Sequence, residues 1–239
     1  TYATNAQIMY YTVGNYTVSL TSTSTYNCSN TYTSVVSIYA NPNVNFTSNT
    51  ACLNQATQFT NASTLQAGTI VKYRWDFDDN FTWDDSTANP TYIYPTFGNK
   101  NCRLEAISNN NCNAQKVNPV MVHGNPVANF KANSTCLGDV TNFQNYSTSV
   151  DGPITSYQWD FNGDNVVDNV SINPTLTYTA NGIYLTKLEV QTQYGCTNVI
   201  SKAVYVNAKP VAQFTATNKS GCPSLCVPFQ NNSYISTGS

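Results

Sequence analysis

Asp160, Asn162, Asp164 and Asp168 lie in the stretch WDFNGDNVVD, at the first, third, fifth and ninth places counted from Asp160. Calcium takes several oxygen ligands from one flexible loop, and this spacing, with a main-chain carbonyl near Val166, follows that of calcium-binding loops. Two features depart from it. The bidentate Glu at the twelfth place is missing, and Asn165 stands where a sixth-place Gly would turn the chain. Asp76, Asp78, Asn80 and Asp84 form a weaker set with a neutral third ligand. The competing reading needs no ion: Asp76 and Asp160 accept backbone N–H bonds that tighten a turn.

Other chemistry finds little support. Nucleophilic catalysis needs a base beside the nucleophile, usually His. His123, the sole histidine, falls at an expected strand end beside a linker and reads as an exposed structural residue. Asp78 with Asp79, and Asp84 with Asp85, are sequence neighbours, whereas a glycosidase pair faces across a cleft. No enzymatic activity is expected. Cys222 and Cys226 alone approach a zinc-ligand spacing, and His123 is far from them.

Composition narrows the class. Charged residues make up 9% of the 239, against about 25% in an ordinary soluble domain. The 17 Tyr and 10 Phe suit strands. Ten Lys plus Arg and a net charge of −2 exclude a basic stripe for nucleic acid. No apolar run is long enough to span a membrane. Eight cysteines in a hydroxyl-rich, Lys-poor chain point to an oxidising, extracellular setting.

The elements that must position these residues recur every 84 residues. That interval separates Phe46 from Phe130, Cys52 from Cys136, Phe59 from Phe143, Trp75 from Trp159, and Cys112 from Cys196. Tyr10, Tyr94 and Tyr178 form a series, as do Gly14, Gly98 and Gly182. The register predicts complete repeats at 42–125 and 126–209, the back of an earlier repeat at 1–41, and the front of a later one at 210–239. On this reading the chain is a segment of a longer polypeptide.

Each repeat reads as strand throughout. ITSYQWDF places Tyr157, Trp159 and Phe161 on one face by period two. GIYLTKLEVQT turns Tyr184, Thr186, Leu188 and Val190 inward, and NPTLTYT suits a strand beginning after Pro174, or an edge. Six or seven strands without a helical period make a small β-sandwich. Short Pro-containing linkers predict a stiff rod of such beads.

The stretch YQWDFNGDNVVDNVSINPTLTYTANGIYLTKLEV, with YRWDFDDN, NPTYIY and YTVGNYTVSL, resembles the PKD-domain pattern. The resemblance covers the whole chain and implies tandem immunoglobulin-like sandwiches of extracellular proteins. Copies carrying CLGD and GC cysteines are similar to those of large Bacteroidetes surface proteins and gliding adhesins. Lys100 replaces the Tyr of positions 16 and 184, and Asp79 replaces Gly163. The first repeat is therefore expected to be less regular at its turn and its second-last strand.

Sandwich topology constrains the cysteines. The turn holding Cys136 and the hairpin holding Cys196 fall at opposite ends of a domain, a strand length apart, while a disulfide needs Cα atoms about 4.4–6.8 Å apart. The favoured pairing is Cys52 with Cys196, between domains. Bonds within a repeat, Cys52–Cys112 and Cys136–Cys196, and reduced thiols are the alternatives. By the same rule Cys28, Cys112 and Cys136 would pair with repeats outside the segment. Cys222 and Cys226 would bridge locally, or Cys222 would serve as an interdomain half and leave Cys226 free. Cys102 reads as a buried free thiol.

The expected function is mechanical: a non-catalytic stalk or fibre of a cell-surface adhesin, partnered by its own neighbouring repeats, with surface glycans or other cells engaged by distal regions. Calcium is the one candidate cofactor. The alternatives are an accessory module of a secreted hydrolase or protease, and a direct glycan-binding module using exposed Tyr.

Overall fold

The computed structural model describes residues 5–217 and 219–235. Every regular element among them is a strand, and no helix is long and apolar enough to cross a membrane. The chain divides into two compact units, Thr1–Val122 and His123–Ser239.

The first unit opens with an antiparallel hairpin of β1 (Gly14–Thr23) and β2 (Ser29–Ile38), in register from Gly14↔Ile38 to Thr23↔Ser29. Seven strands then build a sandwich: β3 (Phe46–Ser48), β4 (Ala51–Cys52), β5 (Ala56–Asn61), β6 (Ile70–Asp76), β7 (Thr91–Ile93), β8 (Gly98–Ser108) and β9 (Asn113–His123). One sheet has the order β3-β5-β7 and the other β4-β9-β8-β6.

The second unit repeats this plan. Its strands are β10 (Phe130–Ala132), β11 (Thr135–Cys136), β12 (Val140–Asn145), β13 (Ile154–Asp160), β14 (Thr175–Thr177), β15 (Gly182–Thr192) and β16 (Thr197–Asn207). The sheet orders, β10-β12-β14 and β11-β16-β15-β13, reproduce those of the first unit. Four short strands follow, β17 (Pro210–Val211), β18 (Phe214–Ala216), β19 (Phe229–Asn231) and β20 (Tyr234–Ile235), with β17 pairing β20 and β18 pairing β19.

Period-two alternation explains the cores. Along β13, Trp159 is fully buried, and Phe161 just beyond the strand joins it in a core with Phe130, Phe143, Leu188, Val190, Val204 and Val206. Trp75 and Phe77 hold the same places in the first unit, with Phe46, Phe59, Leu104, Val120 and Val122. Edge-on ring contacts recur too, Phe46–Trp75 at 5.0 Å and Phe130–Trp159 at 5.1 Å between centroids, a geometry aromatic quadrupoles favour. Burying one such side chain contributes roughly 1.5–3 kcal/mol. β14 begins directly after Pro174 and lies at a sheet edge, where a missing N–H does no harm.

The first repeat is not the less regular one. β8 and β15 have the same length and corresponding ends, Gly98–Ser108 and Gly182–Thr192. Lys100 preserves the local tie of the Tyr it replaces. Its ammonium donates to Thr96 Oγ1 at 2.6 Å, four residues back, as the Tyr184 hydroxyl donates to the Ala180 carbonyl at 2.9 Å. Asp79 adopts φ 58°, close to the 80° of Gly163, because Asp tolerates the left-handed region better than most residues. Arg103 Nε then donates to Asp79 Oδ1 at 2.8 Å.

Candidate functional site

The turn after the central strand is built the same way in both units. Asp160, itself buried, accepts the N–H of Gly163 at 2.7 Å and of Asn162 at 3.2 Å on Oδ1, and of Asn165 at 2.8 Å on Oδ2. Asp76 accepts Asn80 N–H at 3.1 Å and Phe81 N–H at 2.8 Å. Asp168 and Asp84 close each loop by accepting the N–H of Phe161 and of Phe77, at 2.7 and 2.8 Å. The Trp159 and Trp75 indoles donate to the Ser171 and Thr87 carbonyls at 2.9 and 2.8 Å. These first and last acids therefore do the turn-tightening work required by the ion-free reading.

The two copies differ in their middle acids. In the second unit Asn162 Nδ2 donates to Asp164 Oδ2 at 3.0 Å, and Asp164 Oδ1 accepts Val166 N–H at 2.7 Å. In the first the roles are exchanged, with Asn80 Nδ2 donating to Asp78 Oδ2 at 3.0 Å. The swap places an acid beside the first and last acids of the loop. Carboxylate oxygens of Asp76, Asp78 and Asp84 lie within 4.8 Å of one another, the converging set among the described residues. None of the ion pairs among the described residues involves these three acids. Such an all-oxygen donor set fits calcium. The stronger alternation is thus in the second repeat, and the converging carboxylates are in the first. The exchange of Asp and Asn between third and fifth places was the signal in the sequence.

His123 is not exposed. It is 7% accessible, its Nδ1 lies 2.8 Å from Asp151 Oδ2, and its ring stacks on Tyr194 at 3.7 Å between centroids. The same Asp151 oxygen accepts the Gly124 N–H at 3.0 Å. The partners come from loops distant in sequence, so neighbouring residues gave no hint of them. With one ring face stacked on Tyr194 and a nitrogen paired with Asp151, His123 is structural.

Cys52 and Cys196 each take part in a disulfide, and Cys28, Cys102, Cys112, Cys136, Cys222 and Cys226 carry free thiols. The expected local bridge between Cys222 and Cys226 is corrected: both are free and exposed. Strand register explains why Cys136 and Cys196 do not pair. β11 runs parallel to β16 with Cys136 opposite Asn207, whereas Cys196 precedes the first residue of β16. The two ends of that strand are on the order of 35 Å apart at about 3.3 Å per residue, far beyond disulfide reach. Cys102 is fully buried. Burial above all, then the nearby Asp76, pushes its thiol well above its usual range.

Two immunoglobulin-like sandwiches with core-filling aromatics and hydrogen-bonded turns define a repeat module. The PKD domain model matches residues 39–122 and 123–208. The chain belongs to the PKD-domain family. Such domains occur in extracellular proteins, adhesins and proteases among them, and are generally non-catalytic. The PKD1 domain of Vibrio anguillarum Epp is 34% identical over 34% of this chain and 93% of its own, with a TM-score of 0.31. The PKD1 domain of the Vibrio cholerae metalloprotease PrtV is 33% identical over 34% of this chain and 96% of its own, with a TM-score of 0.31. Fibronectin(III)-like modules of Clostridium thermocellum CbhA align at 13% identity over 67% of this chain and 93% of theirs, with a TM-score of 0.38. No curated protein matches.

Proposed function

We propose that the chain is a non-catalytic, mechanical segment of a long extracellular surface protein, a stalk or fibre that holds a distal binding region away from the cell. The observation that supports this reading is repetition itself. Two units share strand order, core rings and turn bonds, while the acids that differ between them serve the turns. Complete repeats at 42–125 and 126–209, the flanking parts at 1–41 and 210–239, and the narrower likeness to gliding adhesins belong to the same proposal.

The cysteines give it a mechanism. A bond from Cys52 of one repeat to Cys196 of the next would carry tension directly, bypassing the chain between them. Cys28, Cys112 and Cys136 would make the same link to repeats beyond this segment, with Cys222 serving the later repeat and Cys226 left free. Stretching single chains by their ends tests this. Reduction should lengthen the fully extended chain by on the order of 50 nm, from about 3.5 Å per released residue. An extension indifferent to reductant, or recovery of a Cys136–Cys196 crosslinked peptide from unreduced digests, would remove the staple.

The second reading is an accessory module of a secreted hydrolase or protease, since PKD domains occur in proteases as well as in adhesins. It predicts that deleting these repeats from the full-length protein slows hydrolysis of a large substrate.

A further inference from the structure

The second unit carries a groove of about 760 Å³ over the sheet of β10, β12 and β14, lined by Lys131, Asn133, Gln144, Asn145, Tyr146 and Asn173 among others. Its asparagines are held in one orientation. Asn133 Oδ1 accepts the Asn142 N–H at 2.9 Å, Asn173 Oδ1 the Asn145 N–H at 2.8 Å, and Asn145 Oδ1 the Ser147 N–H at 2.9 Å. Only an amide oxygen can accept a backbone N–H, so each amide NH₂ remains as the unspent end. Gln144 follows suit, its Oε1 accepting the Tyr146 hydroxyl at 2.9 Å. Lys131 adds an ammonium 5.4 Å from the centre of the Tyr146 ring. It takes part in none of the ion pairs among the described residues.

The asparagines alone would argue only for loop tying. The first unit uses them identically, with Asn49, Asn89 and Asn61 accepting the N–H of Gln58, Asn61 and Ser63. What the second unit adds is the interlocked trio of Lys131, Gln144 and Tyr146, where the first has Thr47, Thr60 and Ala62. The trio turns a structural frame into a donor-rich groove with one positive charge and one half-exposed aromatic ring.

We propose that this groove binds a uronate-bearing polysaccharide. The sugar carboxylate would pair with Lys131, a charge-assisted bond stronger than a neutral one. Ring and hydroxyl oxygens would accept from the amide nitrogens, and an apolar sugar face would lie on Tyr146, in keeping with pockets that combine aromatic surface with a few fixed polar groups. The proposal is independent of the mechanical role.

Calorimetric titration of the whole chain with hexagalacturonate, and with cellohexaose as the neutral counterpart, tests it. Expected is one site per chain for the uronate, weakened at least about tenfold by Lys131→Gln, the loss of one charge-assisted contact. Tyr146→Ala should weaken it as well, and Lys72→Gln in the first unit should leave it unchanged. Grafting Thr47→Lys, Thr60→Gln and Ala62→Tyr together should raise the stoichiometry to two. Equal binding of cellohexaose, binding insensitive to Lys131→Gln, or no uronate heat with variants and parent melting alike would overturn the proposal.

Discussion

The hydroxyl of Thr135 lies 2.8 Å from that of Thr141, and the pair forms a hydrogen bond in the core of the second unit. The first unit has Ala51 in place of Thr135, and the buried Oγ1 of Thr57, counterpart of Thr141, is left without a partner. A buried hydroxyl without a bond costs roughly 1–3 kcal/mol. Thr57→Val should therefore stabilise the first unit by about 1 kcal/mol, and Thr141→Val should destabilise the second by a similar amount. Calorimetry resolving the two unfolding transitions reads both, and equal signs for the two variants would refute the assignment.

Thiol reactivity should follow burial. Cys28, Cys222 and Cys226 are exposed and should alkylate readily at mildly alkaline pH. Cys102, buried and with its thiol pushed up, should label only as fast as its unit unfolds, since the thiolate is the nucleophile. Mass spectrometry of pulse-labelled chain measures it. Labelling of Cys102 at the rate of Cys28 would contradict the packed strand.

The second unit should weaken in acid through Asp151. Burial acts to raise that carboxyl, but the Gly124 N–H bond and the His123 contact outweigh it and hold it below the usual carboxylate range. A depressed folded value means that the stabilisation is present above the unfolded pKa of about 3.9 and is lost as pH falls through the folded value. Asp151→Asn should flatten the acid limb of the second unit's stability profile and leave that of the first unchanged. Identical limbs before and after substitution would rule out this linkage.

For calcium, the geometry directs the test to the first repeat. Titration should give heat that Asp84→Asn or Asp78→Asn abolishes, because these acids converge with Asp76. Asp164→Asn in the second repeat should have little effect, since Asp164 is not part of the converging set. Loss of heat on Asp164→Asn alone would return the site to the second repeat.

Much of the fold was legible because sandwich cores impose period two on long strands. The alternation around Trp75, Trp159 and Leu188 identifies buried faces, and the recurrence of Phe, Trp and Gly registers the repeats. The separation of Cys136 from Cys196 also followed, since strand length and disulfide reach are fixed by covalent geometry. The misses share another cause. His123 is buried by Asp151 and Tyr194, whose approach depends on loop packing that no local pattern encodes. Lys100 read as an irregularity because its chemistry differs from that of Tyr, although both side chains reach back to the same place. The trio of Lys131, Gln144 and Tyr146 is spread over β10, β12 and the loop after β12, and carries no motif.

β11 joins the four-stranded sheet through only Thr135 and Cys136, leaving most of β16 at an open border. Lys202, on that border strand, sends its ammonium to the Phe130 carbonyl at 2.6 Å, and in the other unit Asn118 Nδ2 reaches the Phe46 carbonyl at 2.9 Å. Neighbours of the same fold tethered in one chain meet at very high local concentration during synthesis, where unguarded borders invite mispairing between copies. A two-residue strand and a polar side chain anchored to the first strand blunt that border. Accurate folding of similar beads in series then rests on these small guards as much as on the aromatic cores.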